Sequence, residues 1–224
     1  IIIGSGISGL CCGAFLSMHE KKVLILEKHF KVGGWTHTFK RKEYEWDVGI
    51  HYIGGMHLKK TMARRILDKI SDNQLKWKKM SDNYDRIIFP DQSYNFIAPK
   101  EEFVKQLIDY FPKEEKAINK YINLIERANS VSKKYFLAKT LSGISEFLFY
   151  RYLTKDFFKY SDTTTLDVLS SLTSNKKLIG VLTGQWGDHG LPPSQSSFMM
   201  HAMIVHHYFD GGNYPIGGCR KIAE

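Results

Sequence analysis

The fold is decided by the first ten residues, Ile1-Ile2-Ile3-Gly4-Ser5-Gly6-Ile7-Ser8-Gly9-Leu10. They predict a short apolar strand, a Gly-x-Gly-x-x-Gly turn and the start of a helix, which together bind the pyrophosphate of a dinucleotide. In this motif Gly4 permits the tight turn, Gly6 lets the backbone approach the phosphates, and Gly9 lets the helix pack on the strand. The backbone N–H groups of Ile7 and Ser8, at the positive end of the helix dipole, are predicted to face the phosphate charge.

The second strand is predicted at Val23-Leu24-Ile25-Leu26, a continuous apolar run of the kind that is buried in parallel sheets. Glu27 ends this strand and lies 18 positions after Gly9, near the spacing of roughly 20 residues at which a carboxylate meets the ribose hydroxyls of a dinucleotide. A carboxylate accepts hydrogen bonds from a free diol and repels a 2′-phosphate, so the pattern disfavours NADP. The alternative is a solvated acid at the end of a strand.

The pair Gly33-Gly34 favours FAD over NAD as the predicted cofactor. It begins six residues after Glu27, a pattern that resembles flavoproteins and that plain NAD dehydrogenases generally lack. In flavoproteins the backbone of such a pair again passes close to the cofactor phosphates. The pair therefore favours FAD, with a simple turn as the alternative, and Lys28 beside the ribose acid is counted among the predicted cofactor-binding residues.

The composition is that of an ordinary globular protein, with 224 residues, 43% of them hydrophobic and 25% charged. The net charge of +9 comes from dispersed basic residues, which indicate either solvated faces or attraction to an anionic membrane that would suit a lipid substrate. No nucleic-acid partner is expected, because no basic run is interleaved with aromatic residues. Cys11, Cys12 and Cys219 lack the spacing of a disulfide scaffold or a zinc site and are predicted to pack in the interior.

The fold class predicted is α/β: an incomplete Rossmann-like FAD-binding domain, carrying the βαβ unit, plus a largely helical substrate or cap region. Residues 1–56 are predicted to begin the FAD-binding domain, residues 57–210 to form the cap region, and residues 211–224 to return to the FAD-binding domain. Both ends fall inside predicted elements, so we expect a fragment truncated at its N- and C-terminus. The elements predicted after the βαβ unit are a hairpin at 37–41 and 44–48, a helix at 57–70, strands at 84–89 and 93–97, two apolar helical stripes at 103–111 and 118–128, helices at 142–155, 165–172, 175–186 and 196–209, and the start of another at 217–224.

Several segments resemble the all-trans-retinol 13,14-reductase (retinol saturase) group of the phytoene desaturase and carotenoid isomerase superfamily. Besides the opening motif, the segments that carry the resemblance are Leu26-Glu27-Lys28-His29, Gly33-Gly34-Trp35-Thr36-His37-Thr38-Phe39, Tyr44-Glu45-Trp46-Asp47-Val48-Gly49-Ile50-His51-Tyr52-Ile53-Gly54, Phe198-Met199-Met200-His201-Ala202 and His207-Tyr208-Phe209-Asp210-Gly211-Gly212-Asn213-Tyr214-Pro215-Ile216-Gly217-Gly218. The resemblance extends from end to end. The segments around 44–54 and 198–218 are more specific than the glycine motif.

This resemblance implies an FAD enzyme that acts on an apolar polyene, such as retinol or a carotenoid, and saturates one C=C bond. It places Pro215, Gly217 and Gly218 on the cofactor side, and it allows NAD(P)H as an external reductant. His51 is a candidate for orienting substrate or relaying a proton, with a structural histidine as the equal alternative. Peripheral membrane association is expected, at the endoplasmic reticulum in a eukaryote, with a cytoplasmic bacterial protein as the alternative.

Three other functions stay open at this point. A carotenoid desaturase or isomerase shares the resemblance, a flavin amine oxidase shares the two glycine motifs, and a prenyl-binding module like the Rab GDP-dissociation inhibitors shares the fold without redox chemistry. A metal site is not expected. His201, His206 and His207 lie on one predicted helix, but their separations do not place two ligands on one face.

Overall fold

The βαβ unit predicted at the start of the chain is present in the computed structural model, which describes the backbone of residues 1–224 and every side chain except that of Phe147. Strand β1 (Ile2–Ile3) pairs in parallel with β2 (Ile25–Leu26), and α1 (Ile7–Met18) connects them. A Cβ added at Gly13 of α1 would lie 3.0 Å from Cδ1 of Ile25, so the helix packs closely on the strand. Both strands are shorter than the apolar runs that predict them.

The chain divides into two units, residues 1–81 with 211–224, and residues 82–210. The first division falls after Ser81. The reason is a strand pairing: β6 (Trp77–Lys79) pairs with β9 (Gly212–Pro215), which places residues 57–81 in the first unit. The second division falls between residues 210 and 211, and the domain boundaries read from the sequence stay a prediction.

The first unit also contains the predicted hairpin and a small antiparallel sheet. The hairpin consists of β3 (Thr38–Arg41) and β4 (Tyr44–Asp47), close to the predicted bounds. The sheet has the order β5-β9-β6, where β5 is Ile53–Gly54. Helix α2 (Met62–Ile70) is shorter than the predicted 57–70 and packs Leu67 into a core with Met56 and Leu75.

The second unit joins one hairpin to six helices. Strands β7 (Asn83–Ile88) and β8 (Ser93–Ile97) form the predicted antiparallel pair. The helices are α3 (Lys100–Tyr110), α4 (Glu115–Ala138), α5 (Gly143–Ser161), α6 (Thr165–Leu172), α7 (Lys176–Leu182) and α8 (Phe198–His207). The end of the helix predicted at 175–186 is instead part of a short 3-10 helix at 184–188, and the start of a helix predicted at 217–224 is a 3-10 helix at 219–222. In the part of the chain that the structure describes, no helix is long and apolar enough to span a membrane.

Candidate functional site

The three glycines of the opening motif have different surroundings. Gly4 has φ +97°, in the left-handed region, and its N–H donates to the carbonyl of Leu26 at 2.7 Å. A Cβ at Gly9 would lie 2.2 Å from the carbonyl oxygen of Gly4, which no real side chain tolerates. A Cβ at Gly6, by contrast, would meet nothing within 4 Å. Gly9 therefore serves the close packing of helix on strand, whereas Gly6 borders open space.

The open space lies at the N-terminus of α1. Gly6 occupies the N-cap position and provides no side-chain acceptor, and the first turn contains no acidic residue. The first backbone bond runs from the N–H of Leu10 to the carbonyl of Gly6 at 3.0 Å. The N–H groups of Ile7, Ser8 and Gly9 consequently have no acceptor within the helix. Such donors, at the positive end of the helix dipole, favour a negatively charged ligand group.

Glu27 is held beside this turn by three hydrogen bonds. Its Oε2 accepts from the backbone N–H of Ser5 at 2.7 Å and from the Ser5 hydroxyl, and its Oε1 accepts from the N–H of His29 at 2.8 Å. The hydroxyl of the buried Ser5, followed by the N–H of His29, lowers the pKa of Glu27 to about 2. The carboxylate is thus ionised at neutral pH. Since a carboxylate has about four acceptor positions, it retains one for a hydroxyl from outside.

The pair Gly33-Gly34 closes the other side of the turn. Gly33 donates its N–H to the carbonyl of Ser5 at 3.0 Å and forms a parallel bridge with Gly6. Both glycines have positive φ, +108° and +57°. A Cβ at Gly34 would lie 3.0 Å from Cα of Gly6. The structure therefore brings the opening motif, Glu27 and the glycine pair into one cluster, the turn cluster, as their predicted common role requires.

The C-terminal segment reaches the same cluster. Pro215 is buried in β9, and Gly217 and Gly218 follow with φ of +96° and +93°. The segment then folds back, so that a Cβ at Gly33 would lie 2.9 Å from Cβ of Ala223. The contact with the turn cluster is thus made by Ala223, a few residues beyond Gly217 and Gly218.

A partly buried polar contact fixes the strand that leads into these glycines. The hydroxyl of Tyr214 donates to Oδ2 of Asp47 at 2.6 Å, which ties β9 to the end of β4. Burial, followed by this hydrogen bond, raises the pKa of Tyr214. The neighbouring Cys219 is fully buried and donates its Sγ hydrogen to the carbonyl of Ile50 at 2.9 Å, and burial raises its pKa to about 12. The thiol therefore stays protonated at neutral pH and packs, as predicted. The same prediction is wrong for Cys12, which is exposed on α1, and Cys11 is half-buried.

Comparison with known proteins places this geometry in a family context. Residues 2–70 match the family model described as NAD(P)-binding Rossmann-like domain. Over 231 aligned residues the chain is 37% identical to all-trans-retinol 13,14-reductase of Danio rerio and 36% identical to that of Homo sapiens. Each alignment covers 100% of this chain and 38% of the relative. The resemblance to the all-trans-retinol 13,14-reductase group is confirmed. The chain spans well under half the length of these relatives.

Two further relatives share a lower sequence identity with this chain. A Danio rerio protein named inactive all-trans-retinol 13,14-reductase is 30% identical over 99% of this chain and 38% of its own length. A 1-hydroxycarotenoid 3,4-desaturase of Flavobacterium sp. is 26% identical over 100% of this chain and 46% of its own length. Identity is thus higher to the proteins named retinol reductases than to this desaturase.

Solved structures agree on the fold alone. A putrescine oxidase bound to putrescine aligns with a TM-score of 0.57 at 15% identity, over 99% of this chain and 46% of that one. Cyclohexylamine oxidase from Brevibacterium oxydans aligns with a TM-score of 0.55 at 17% identity, over 99% of this chain and 47% of that one. The predicted Rossmann-like fold is confirmed, because the family model and these structures agree with the observed βαβ unit.

The predicted site residues fall into three places: the turn cluster, the segment from Pro215 to Gly218, and His51. The opening glycines, Glu27 and Gly33-Gly34 come together, with Lys28 directly after Glu27. His51 is exposed at the surface just before β5, and its role stays a prediction. Sequence reasoning missed Asn213, which is fully buried and donates to the carbonyl of Ile53 at 3.1 Å. It lies inside the recognised 207–218 segment, but its burial depends on pairing with a strand 160 residues away.

The histidines of α8 serve packing in the second unit. Nε2 of His201 lies 2.8 Å from the hydroxyl of Tyr121, and both side chains are buried. Burial lowers the pKa of His201 to about 3, so the ring is neutral at physiological pH. His206 contacts the amide of Asn129 at 3.0 Å. Among the described side chains, no group of three histidine, cysteine or acidic residues is placed to hold a metal ion.

Proposed function

We propose that the protein containing this chain is an FAD-dependent oxidoreductase that acts on a C=C bond of an apolar polyene such as retinol or a carotenoid. The observation that carries the proposal is the turn cluster. Open space at Gly6 and free N–H groups at the start of α1 lie beside a fixed, ionised Glu27. This arrangement suits a ligand with a pyrophosphate and a free ribose diol.

FAD is favoured over NADP by the charge of Glu27. Its pKa near 2 keeps a negative charge beside the ribose position, which repels a 2′-phosphate. The turn from Gly4 to Gly9 would hold the pyrophosphate, Glu27 the ribose, and Gly33-Gly34 would let the backbone pass close to the phosphates. Pro215, Gly217 and Gly218 are proposed to lie on the flavin side. When bound, the flavin supplies hydride transfer, and the residues of this chain bind and orient it.

Saturation is the direction that the relatives favour. Proteins named all-trans-retinol 13,14-reductase share 36–37% identity with this chain, against 26% for the carotenoid desaturase. Saturation of a C=C bond adds a hydride to one carbon and a proton to the other, so a reductant must restore the flavin. We propose NAD(P)H as that external reductant.

The test uses the full-length protein, purified and assayed without oxygen. We expect a yellow protein with a flavin band near ~450 nm, and a dihydro product from all-trans-retinol when reductant is supplied. A flavin-bound protein that turns over only amines would replace the proposal with an amine oxidase. A yellow protein without turnover on any polyene would place it with the inactive relative, and a colourless one would contradict FAD binding.

A further inference from the structure

The hairpin of α4 and α5 in the second unit exposes an unusual number of apolar side chains at its closed end. The helices are held together by the stacked rings of Tyr135 and Phe157, whose centroids lie 3.8 Å apart. Beyond that contact the exposed side chains, which we call the tip patch, are Phe136, Leu137, Ile144, Leu148, Phe149 and Tyr152. Large exposed apolar patches are rare on soluble proteins and mark sites of interaction.

The patch follows helical geometry on α5. Ile144, Leu148 and Tyr152 recur every four residues and therefore lie on one face. Their exposed fractions are 80%, 60% and 71%. Thr154 on the same helix is buried, which shows that α5 packs with a different face. The stripe is thus an apolar helix face that the structure leaves in solvent.

Positive charge surrounds the patch. Residues 133–155 contain one acidic residue, Glu146, and five basic ones: Lys133, Lys134, Lys139, Arg151 and Lys155. Lys139 donates to the hydroxyl of Tyr150 at 2.8 Å, and Nζ of Lys155 lies 5.5 Å from the ring centroid of Tyr152. Apolar and aromatic side chains surrounded by lysine and arginine are the pattern of helices that lie in the interface of an anionic membrane.

We propose that the tip patch inserts into the interface of a membrane that contains anionic lipids, with the surrounding basic residues on the lipid headgroups. A second copy of the chain fits less well, since a two-fold contact would place the same positive charges against each other. A protein partner fits less well too, because the cores of protein interfaces are depleted in lysine. The proposal does not depend on the identity of the cofactor or on the reaction.

The test measures partition of the full-length protein between buffer and lipid vesicles. We expect it to sediment with vesicles of phosphatidylcholine and phosphatidylserine, more weakly with phosphatidylcholine alone, and less as salt is raised. The triple variant Ile144→Ser, Leu148→Ser, Tyr152→Ser is expected to bind at least about tenfold more weakly. Ile88→Ser is the matched control, because Ile88 in β7 is 75% exposed and lies outside the patch.

A second variant tests the charge without changing the apolar face. Lys139→Gln with Arg151→Gln is expected to weaken binding to the anionic vesicles by about 25-fold, at roughly fivefold for each charge. Lys176→Gln, at an exposed lysine of α7, serves as the control. Thermal unfolding of each variant verifies that it folds.

Three outcomes would overturn the proposal. The first is that the triple serine variant and the double glutamine variant bind anionic vesicles as tightly as the parent protein. The second is a concentration-dependent dimer that the triple variant loses, which would assign the patch to a second copy. The third is a large loss of thermal stability in the triple variant of the full-length protein, which would show the patch buried against another segment of the protein.

Discussion

Outside the tip patch, the second unit has a buried apolar core, whereas the βαβ part of the first unit leaves many of its apolar side chains in solvent. Phe96, Phe103 and Ile125 of the second unit are at most 1% exposed. In the βαβ unit, Ile3 is 90% and Leu26 is 49% exposed. The turn cluster is therefore held by hydrogen bonds and glycine contacts more than by apolar burial. The lesson is that substitutions in the two regions affect different properties, stability in one and ligand binding in the other.

The largest effect is expected in the core of the second unit. Phe103 packs edge-to-face on Phe96, with ring centroids 5.1 Å apart. Phe103→Ala removes these contacts and leaves a cavity, so we expect the free energy of unfolding to fall by about 3–5 kcal/mol. Denaturant unfolding measures this, and Phe136→Ala, at a half-exposed position, is the control with a change within about 0.5 kcal/mol. If Phe103→Ala lowers the free energy of unfolding as little as Phe136→Ala does, apolar burial does not stabilise the second unit as inferred.

The second-largest effect is expected at Gly9, where helix α1 packs closely on strand β1. Gly9→Ala drives a Cβ against the Gly4 carbonyl, a backbone atom that cannot rotate away, and forces α1 away from β1. We expect about 3 kcal/mol of destabilisation together with loss of bound dinucleotide. Gly187→Ala, where a Cβ meets nothing within 4 Å, is the control. Normal flavin content in Gly9→Ala would contradict the close packing.

The smallest effect on stability is expected at Glu27, where binding changes instead. Glu27→Gln removes the charge that the N–H groups of Ser5 and His29 hold in place, and we expect FAD retention after dialysis to fall about tenfold. Unfolding is expected to change little, and Glu43→Gln, in the exposed hairpin turn, is expected to change neither. Unchanged retention would exclude Glu27 from the ribose site.

The pH dependence of FAD retention tests the same role of the Glu27 charge. The pKa of Glu27 falls from 4.5 to about 2 in the folded protein. The carboxylate of the folded protein therefore stays charged at pH 4 and is protonated only as the pH falls to about 2. We expect the parent protein to retain more FAD than Glu27→Gln at pH 4 as well as at neutral pH. If the difference in FAD retention between the two proteins disappears near pH 4.5, the three hydrogen bonds to Glu27 do not form.

The sequence alone determined the features that depend on neighbours along the chain. The Gly4–Gly9 turn, the hairpin of β3 and β4, the hairpin of β7 and β8, and the stripe of α4 follow from glycine placement, turn residues and periodicity. The spacing from Gly9 to Glu27 predicted a carboxylate near the turn, because a βαβ unit of that length returns the chain to the adjacent strand.

Only the tertiary structure decided the features that join distant segments. The sheet β5-β9-β6 consists of strands of two to four residues, too short for alternation to reveal them, and its pairing joins Ile53 to Asn213. The hydrogen bond from Tyr214 to Asp47 spans 167 positions. The exposure of the tip patch and of Ile3 was equally hidden, because an apolar pattern predicts a face but not what covers it. Burial is a property of the whole packed chain, whereas a turn is a property of a few residues.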